Sequence, residues 1–266
     1  MTYQVFENVL SKDAIQTLLD FYHQEDDYTD DRKDVRSKAL VWNQDCFPQG
    51  IIQTALDRIL FDPYDVEAVY FFDSKISFRL HTDSGNCDND LVYRNVILPL
   101  LIDESATTVL FDNHYAGPST RFARSNIDPF RYNLLNRNNQ FVWVDDIRHL
   151  LHQCKTCPDT ITEFDVSDRF IQDLEYIIST RYTLADRRTS DYSRITNLQE
   201  SIAIDDSLYT QYLHHMPRED VNGLTVEYVY HWRVGGALTF PRSQLHCAGA
   251  GHKRKIGISI FTRYKS

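Results

Sequence analysis

The stretch Gly235–Thr262, GGALTFPRSQLHCAGAGHKRKIGISIFT, constrains the fold of this chain more than any other. Leu238 and Phe240 lie two apart, and Ile256, Ile258 and Ile260 keep the same period, as expected where alternate side chains of a strand meet a core. The pattern predicts two strands joined by a short glycine-containing connection, with His246 closing the first and Lys255 opening the second. An imidazole near a lone cation on a neighbouring strand suggests a metal that binds an anionic co-ligand, provided that further ligands exist upstream. The segment FRLHTDSG supplies them as His81 and Asp83.

Bulk properties narrow the setting. With 266 residues, 42% hydrophobic and 25% charged, the chain can bury a substantial core in one domain or two, and no apolar run is long enough to argue for a membrane span. The N-terminus has no basic start followed by an apolar run, so a cytoplasmic protein is expected. Five cysteines make a complete disulfide framework a poor fit and point to reduced thiols. A net charge of −10 disfavours nonspecific binding to a phosphate backbone, so the expected partner is a small-molecule or polypeptide substrate, with nucleic acid and membrane not expected. Arg181, Arg187, Arg188 and Arg194 form the main basic cluster outside the C-terminus and read as a solvated face balanced by aspartates.

Along the chain, YQVFENV (residues 3–9) reads as a strand. Ser11 is a fitting N-cap for a helix whose Ile15, Leu18, Leu19 and Tyr22 share one face. A second helix is predicted from Gln49 to Leu60. The segment from Val66 to Leu80 contains two short strand candidates, EAVYFF and KISFRL, and His81 and Asp83 follow the second at period two, on one side of the chain. RNVILPLLI and ATTVLFDNHY continue as strands, with Pro99 implying an edge or a bulge. After Asn113 strand-like alternation lapses until about Gly223. Between them lie a strand at FVWV, a helix over Asp165–Thr180 carrying Phe170, Leu174, Ile177 and Ile178, and a short helix at LYTQYLHHM. The expected organisation is a single domain over 1–266. Residues 1–65 supply an N-terminal strand and helices, 66–112 and 223–266 the barrel core, and 113–222 an insertion suited to covering one end of it.

Two constellations carry chemistry. His81, Asp83 and His246 offer two imidazoles and a carboxylate, a set that leaves three octahedral positions open and is used by non-haem Fe(II) oxygenases. His152, Cys154 and Cys157 in HQCKTC could bind zinc or act as a redox pair, but His149 is the only nearby fourth ligand, and ordinary helix or loop residues are the simpler reading. His214 and His215 are adjacent and diverge. No phosphate loop, dinucleotide fingerprint or nucleophile elbow is present.

HTD, RNVILPLL, TTVLFD, WRVGGALTFPRSQLHC and KIGISIFT together resemble the 2-oxoglutarate-dependent Fe(II) dioxygenases, over about residues 66–112 and 223–262. The resemblance implies a mainly β fold with flanking helices, whose core is a double-stranded β-helix of the jelly-roll, cupin-like type. It implies Fe(II) and the cosubstrate 2-oxoglutarate, His81, Asp83 and His246 as iron ligands, and Lys255, nine positions after His246, as the anchor of the far carboxylate. Many members carry arginine followed two residues later by serine, where this chain has Lys255 and Gly257; lysine supplies charge without a bidentate fork. Arg254 competes for the role but would face the other way. Thr108, Arg94 and Arg242 are further candidates for the cosubstrate site, Arg242 because four residues of regular strand would turn it to the same side as His246. The implied activity is hydroxylation, or demethylation by the same route, of a substrate coupled to conversion of 2-oxoglutarate to succinate and CO2. A non-oxidative metal-binding β-barrel protein, a binding protein or an isomerase, would need the metal but not Lys255.

Overall fold

The structure, a computed structural model, describes residues 3–24, 30–32, 34–42, 48–85, 91–124, 132–138, 141–144, 147–175, 188–189, 192–251 and 253–265. In chain order the strands are β1 (Gln4–Phe6), β2 (Asp30–Arg32), β3 (Val35–Leu40), β4 (Tyr64–Ser74), β5 (Val92–Ile102), β6 (Thr107–His114), β7 (Arg121–Phe122), β8 (Tyr132–Leu135), β9 (Phe141–Val144), β10 (Arg188–Thr189), β11 (Val226–His231), β12 (Ala237–Pro241), β13 (Gln244–Ala248) and β14 (Lys255–Tyr264). The longer helices are α1 (Lys12–Gln24), α2 (Gln49–Ile59) and α3 (Ile147–Thr156). No described helix is long and apolar enough to cross a membrane.

Residues 1–122 and 191–266 form one compact unit and residues 123–190 another. The expected 113–222 insertion is therefore divided between them. In the smaller unit β8 and β9 pair as a hairpin. There α3 contributes Ile147, Leu150 and Cys154 to a core with Phe164 and Leu174. The predicted Asp165–Thr180 helix is seen over residues 168–175, and Ile177 and Ile178 lie outside the described residues.

The larger unit is a double-sheet jelly roll. Its large sheet has the order β1-β12-β5-β14-β4-β3-β2 and its small sheet the order β11-β6-β13, with His81 bridging antiparallel to His246 of β13. From β4 onward the chain visits the large sheet, the His81 bridge, the large sheet (β5), the small sheet (β6 and β11), the large sheet (β12), the small sheet (β13) and the large sheet (β14). This back-and-forth winding defines the double-stranded β-helix.

Alternation decides which residues face where. On β14, Ile256, Ile258 and Ile260 join Val96, Leu98 and Leu100 of β5 and Leu18, Tyr22, Ile52 and Leu56 of the two N-terminal helices, so α1 and α2 cover the outer face of the large sheet. The opposite face brings Ile97, Leu238 and Phe240 against Leu110, Tyr230 and Trp232, between the sheets. The outer face of the small sheet, through Val109, Phe111, Leu245 and Cys247, packs against Tyr192, Ile204, Leu213, Met216 and Val221. Ser11 caps α1 as expected, its Oγ accepting from the Ala14 N–H at 3.2 Å.

Two local expectations are corrected, and a third is met by one of its two alternatives. KISFRL does not form a strand: β4 runs unbroken to Ser74, and the chain then turns away to deliver His81 to the other sheet. The C-terminal stretch holds three strands rather than two, because residues 242–243 turn between β12 and β13, so His246 lies inside a strand instead of closing one. Pro99 sits in a central strand, between β12 and β14, and is tolerated at a bulge: Ile256 pairs with Leu101 and Gly257 with Pro99, skipping Leu100. The Pro99 carbonyl is satisfied by the Gly235 N–H at 3.0 Å. Gly235 needs its positive φ of 80°, and a Cβ there would lie 3.0 Å from the Leu10 carbonyl oxygen.

Ile258 is fully buried at the centre of this packing. Ile258→Ala is expected to cost about 2–5 kcal/mol in urea denaturation. A loss below about 1 kcal/mol would show that the helices do not depend on the β14 face.

Candidate metal centre

The end of the β4–β5 connection and strand β13 are clamped by two backbone hydrogen bonds, His81 N–H to His246 C=O at 3.0 Å and His246 N–H to His81 C=O at 3.1 Å. The exchange sets the two imidazoles side by side, with ring centroids 4.2 Å apart. Asp83, two residues past His81, points to the same side. Its Oδ1 is 3.7 Å from His81 Nε2 and its Oδ2 3.1 Å from His246 Nε2. One ligand atom from each of the three residues lies within 4.8 Å of the others, the only such set of histidine, cysteine and acidic side chains among the described residues.

The hydrogen bonds on the far side of each ring fix the chemistry. His81 Nδ1 is 2.7 Å from the Arg79 carbonyl and His246 Nδ1 3.0 Å from that of Gln244. A carbonyl only accepts, so both Nδ1 atoms carry hydrogen and both Nε2 atoms are the ones turned toward the Asp83 carboxylate. Burial, with His246 beside it, pushes the His81 pKa down to about 4, which keeps that ring neutral at pH 7. Burial alone would raise the Asp83 carboxyl, but His246, His81 and Arg242 outweigh it and hold the group below the usual carboxylate range. Two imidazole nitrogens and one carboxylate oxygen converging within 4.8 Å of one another are a donor set that suits a first-row divalent metal. The donor set fits that group.

Sequence reasoning missed two residues that orient this carboxylate. Asn95 of β5, 1% exposed, donates from Nδ2 to Asp83 Oδ2 at 2.5 Å. Ser259 of β14 donates to Asn95 Oδ1 at 3.1 Å, which fixes the amide with its nitrogen toward Asp83. The signal in the sequence was a polar residue two positions before Ile97, on the inward face of an apolar run.

Lys255 opens β14 on the inward face, in register with Gly257 and Ser259, and is 2% exposed. Its neighbours Lys253 and Arg254 pair with acids: Lys253 with Glu104, Arg254 in a fork on Asp73 at 3.0 and 2.7 Å. Lys255 has no such partner among the described residues. Its ammonium stands 4.8 Å from the centroid of the Trp232 ring, and burial pushes its pKa down to about 7. Thr108, buried on the inward face of β6, accepts at Oγ1 from Trp232 Nε1–H at 2.9 Å.

Arg242 and Arg94 are not gathered with Lys255. The turn between β12 and β13 takes Arg242 out of the strand that would have aligned it with His246. Its buried guanidinium forks onto Glu67 at 2.8 and 3.2 Å and donates from Nε to the Asp83 carbonyl at 2.8 Å, so its charge is matched and it holds the metal-centre backbone. Arg94 stacks near Tyr93 and, with Tyr115 and Tyr264, lines a separate cavity of about 450 Å³ that the triad does not line.

Elsewhere, Cys154 is buried in an apolar core and Cys157 is an exposed free thiol, so the helix reading of HQCKTC stands. His214 bonds back to the Thr210 carbonyl at 2.9 Å. Arg181 and Arg187 lie outside the described residues, while Arg194 donates to the Ala116 carbonyl and stands over Tyr115.

No family model and no curated protein matches this chain. Among solved structures it is similar to the non-haem alpha-ketoglutarate-dependent carbocyclase SnoK from nogalamycin biosynthesis, with TM-score 0.44 and 9% identity over 99% of this chain and 80% of that one. It is also similar to a Pseudomonas putida prolyl-4-hydroxylase, with TM-score 0.41 and 8% identity over 100% and 94%. A third is HygX from Streptomyces hygroscopicus with nickel, 2-oxoglutarate and hygromycin B bound, with TM-score 0.43 and 8% identity over 99% and 82%. The likeness is distant, and the fold assignment rests on strand order and register.

Two outcomes follow from this geometry. Asn95→Ala is expected to weaken metal affinity by about 10–100-fold, read by competition with a chromophoric chelator, because a carboxylate ligand loses its orienting bond; unchanged affinity would remove Asn95 from the centre. For Lys255, folding releases a proton wherever the unfolded chain is protonated and the folded chain is not, between about pH 7 and the ordinary lysine value of 10.5. Stability therefore rises with pH across that window. Lys255→Met should raise Tm at pH 6.5 and flatten its rise toward pH 9, whereas parallel profiles for the two proteins would contradict a desolvated ammonium.

Proposed function

We propose that this protein is an Fe(II)- and 2-oxoglutarate-dependent oxygenase that hydroxylates a small-molecule or polypeptide substrate. One observation carries the reading: a buried lysine, Lys255, with no acidic partner among the described residues, on the inner face of the same barrel that carries two imidazoles and a carboxylate. A desolvated ammonium is costly unless an anion meets it, and a dicarboxylate that chelates a metal at one end can offer its other carboxylate to the lysine. Arg254 is excluded from this role by its fork on Asp73.

The chain's own groups divide the work. His81, His246 and Asp83 hold the metal on one side and leave the rest of its coordination sphere to ligands. Asn95, backed by Ser259, keeps the Asp83 oxygens aimed inward. Lys255 binds the far carboxylate, and Thr108 braces the neighbouring Trp232 indole. Leu110, Leu238 and Phe240 line the barrel interior and keep bulk water from it, which strengthens every charge interaction there. When bound, ferrous iron and 2-oxoglutarate supply the oxidation: substrate C–H, 2-oxoglutarate and O2 give the alcohol, succinate and CO2.

Protein loaded with Fe(II) is expected to form succinate from 2-oxoglutarate in air, and Asp83→Ala to abolish it without loss of fold. Lys255→Ala should raise the KM for 2-oxoglutarate by about tenfold or more while metal affinity is retained, since a charge-assisted bond contributes about 1.5–3 kcal/mol. Tight zinc binding at the three residues with no succinate under any condition would instead support the non-oxidative metal protein.

A further inference from the structure

Trp232 follows β11 and is 7% exposed, its backbone N–H bonded to the Ala106 carbonyl at 2.8 Å. Its indole is held on several sides. Nε1–H donates to Thr108 Oγ1, and Phe72 meets the ring edge-on with centroids 5.8 Å apart. On the β14 side the six-membered ring lies against Gly257. A Cβ on Gly257 would fall 2.9 Å from Trp232 Cη2 and 3.0 Å from Cζ3, closer than real Cβ contacts. The φ of Gly257 is outside the left-handed region, so this glycine is present for the room it leaves rather than for its backbone. Gly257 and Lys255 alternate on one face of β14, and the same ring that lies on the glycine stands 4.8 Å from the lysine ammonium.

We propose that Trp232 is a positioning residue for the anion site, its indole holding the Lys255 ammonium inside the barrel while leaving the ammonium's charge unmatched for a carboxylate ligand. The inference rests on the oxygenase reading. An acidic side chain in that place would steady Lys255 equally well but would occupy the charge that the ligand needs. An aromatic face attracts a desolvated cation through its quadrupole and carries no net charge. Two features argue that the ring's placement is specified. Its N–H is tied to Thr108, so the ring cannot turn, and the strand beside it gives up a side chain at Gly257, so the ring can approach.

The test measures binding of 2-oxoglutarate to protein loaded with Co(II), by calorimetry, alongside Co(II) affinity and Tm. Trp232→Leu, which removes the aromatic face, is expected to weaken 2-oxoglutarate binding by about tenfold, the loss of a buried cation–π contact. Trp232→Phe keeps an aromatic face but loses the bond to Thr108, and should weaken binding by about threefold, less than Trp232→Leu. Co(II) affinity should be unchanged in both. Gly257→Ala keeps the indole but displaces it from the strand side, and should weaken binding comparably; combined with Trp232→Leu it should add little, because the ring it displaces is gone. If Trp232→Leu fails to fold, Gly257→Ala and Trp232→Phe decide the matter. Wild-type affinity in Trp232→Leu, or in Gly257→Ala, overturns the positioning role and leaves the oxygenase reading intact. A wild-type protein that binds Co(II) but no 2-oxoglutarate overturns the oxygenase reading, and this inference with it.

Discussion

The antiparallel exchange between the backbones of His81 and His246 is the contact on which the rest of the centre depends. The exchange is flanked by Ala248 N–H to the Phe78 carbonyl at 3.0 Å and Asp83 N–H to the Arg242 carbonyl at 3.1 Å, and it joins the chain leaving β4 to the edge of the small sheet and so closes the wound topology at one end. Because the two residues pair directly, their imidazoles leave the backbone side by side, and the period of an extended chain brings Asp83 to the same side as His81. The Nδ1 bonds to the carbonyls of Arg79 and Gln244 come from residues two positions earlier in each segment, so the same local extension that pairs the backbones also selects the tautomer. Ligand geometry here is a consequence of strand geometry.

The barrel interior gathers its polar groups into two places. Near the bridge, Asn95 and Ser259 reach from the large sheet to Asp83, and Arg242, neutralised by Glu67, ties down the Asp83 carbonyl. At the start of β14, Lys255, Trp232 and Thr108 form a second group. The first is internally satisfied apart from what a metal would supply. The second contains a buried lysine with no acidic partner among the described residues, whose charged form is costly in the free protein and would be stabilised by an anionic ligand.

Much of this was legible in the sequence. The isoleucines of β14, the strands at RNVILPLLI and TTVLFD, both N-terminal helices and the His81–Asp83 pair all announce themselves by period, because burial on one face of a regular element leaves a repeating mark. What was not legible lacked such a mark. The turn at Arg242 and Ser243 has no glycine or asparagine and is signalled only by Pro241 and Ser243, so β12 and β13 read as a single strand and Arg242 as a neighbour of His246. KISFRL has the composition of a strand, but its path is set by the pairing of His81 with a residue far along the chain. Asn95 carries no periodic mark of its own, since its importance comes from Asp83 and Ser259, which meet it only in three dimensions. Gly257 stood out as a departure from a family pattern, and its reason, the Trp232 ring, lies on a different strand.

The central claim is that His81, Asp83 and His246 bind one iron whose remaining positions face a carboxylate anchored by Lys255. A crystal structure of the anaerobic protein with Fe(II) and 2-oxoglutarate, recorded at the iron absorption edge, tests it most directly. The account predicts one anomalous peak bonded to both Nε2 atoms and an Asp83 oxygen, with 2-oxoglutarate chelating the metal and its far carboxylate on the Lys255 ammonium. A metal closed off by a fourth protein ligand, or 2-oxoglutarate absent from a fully loaded site with Lys255 still against Trp232 alone, would contradict it.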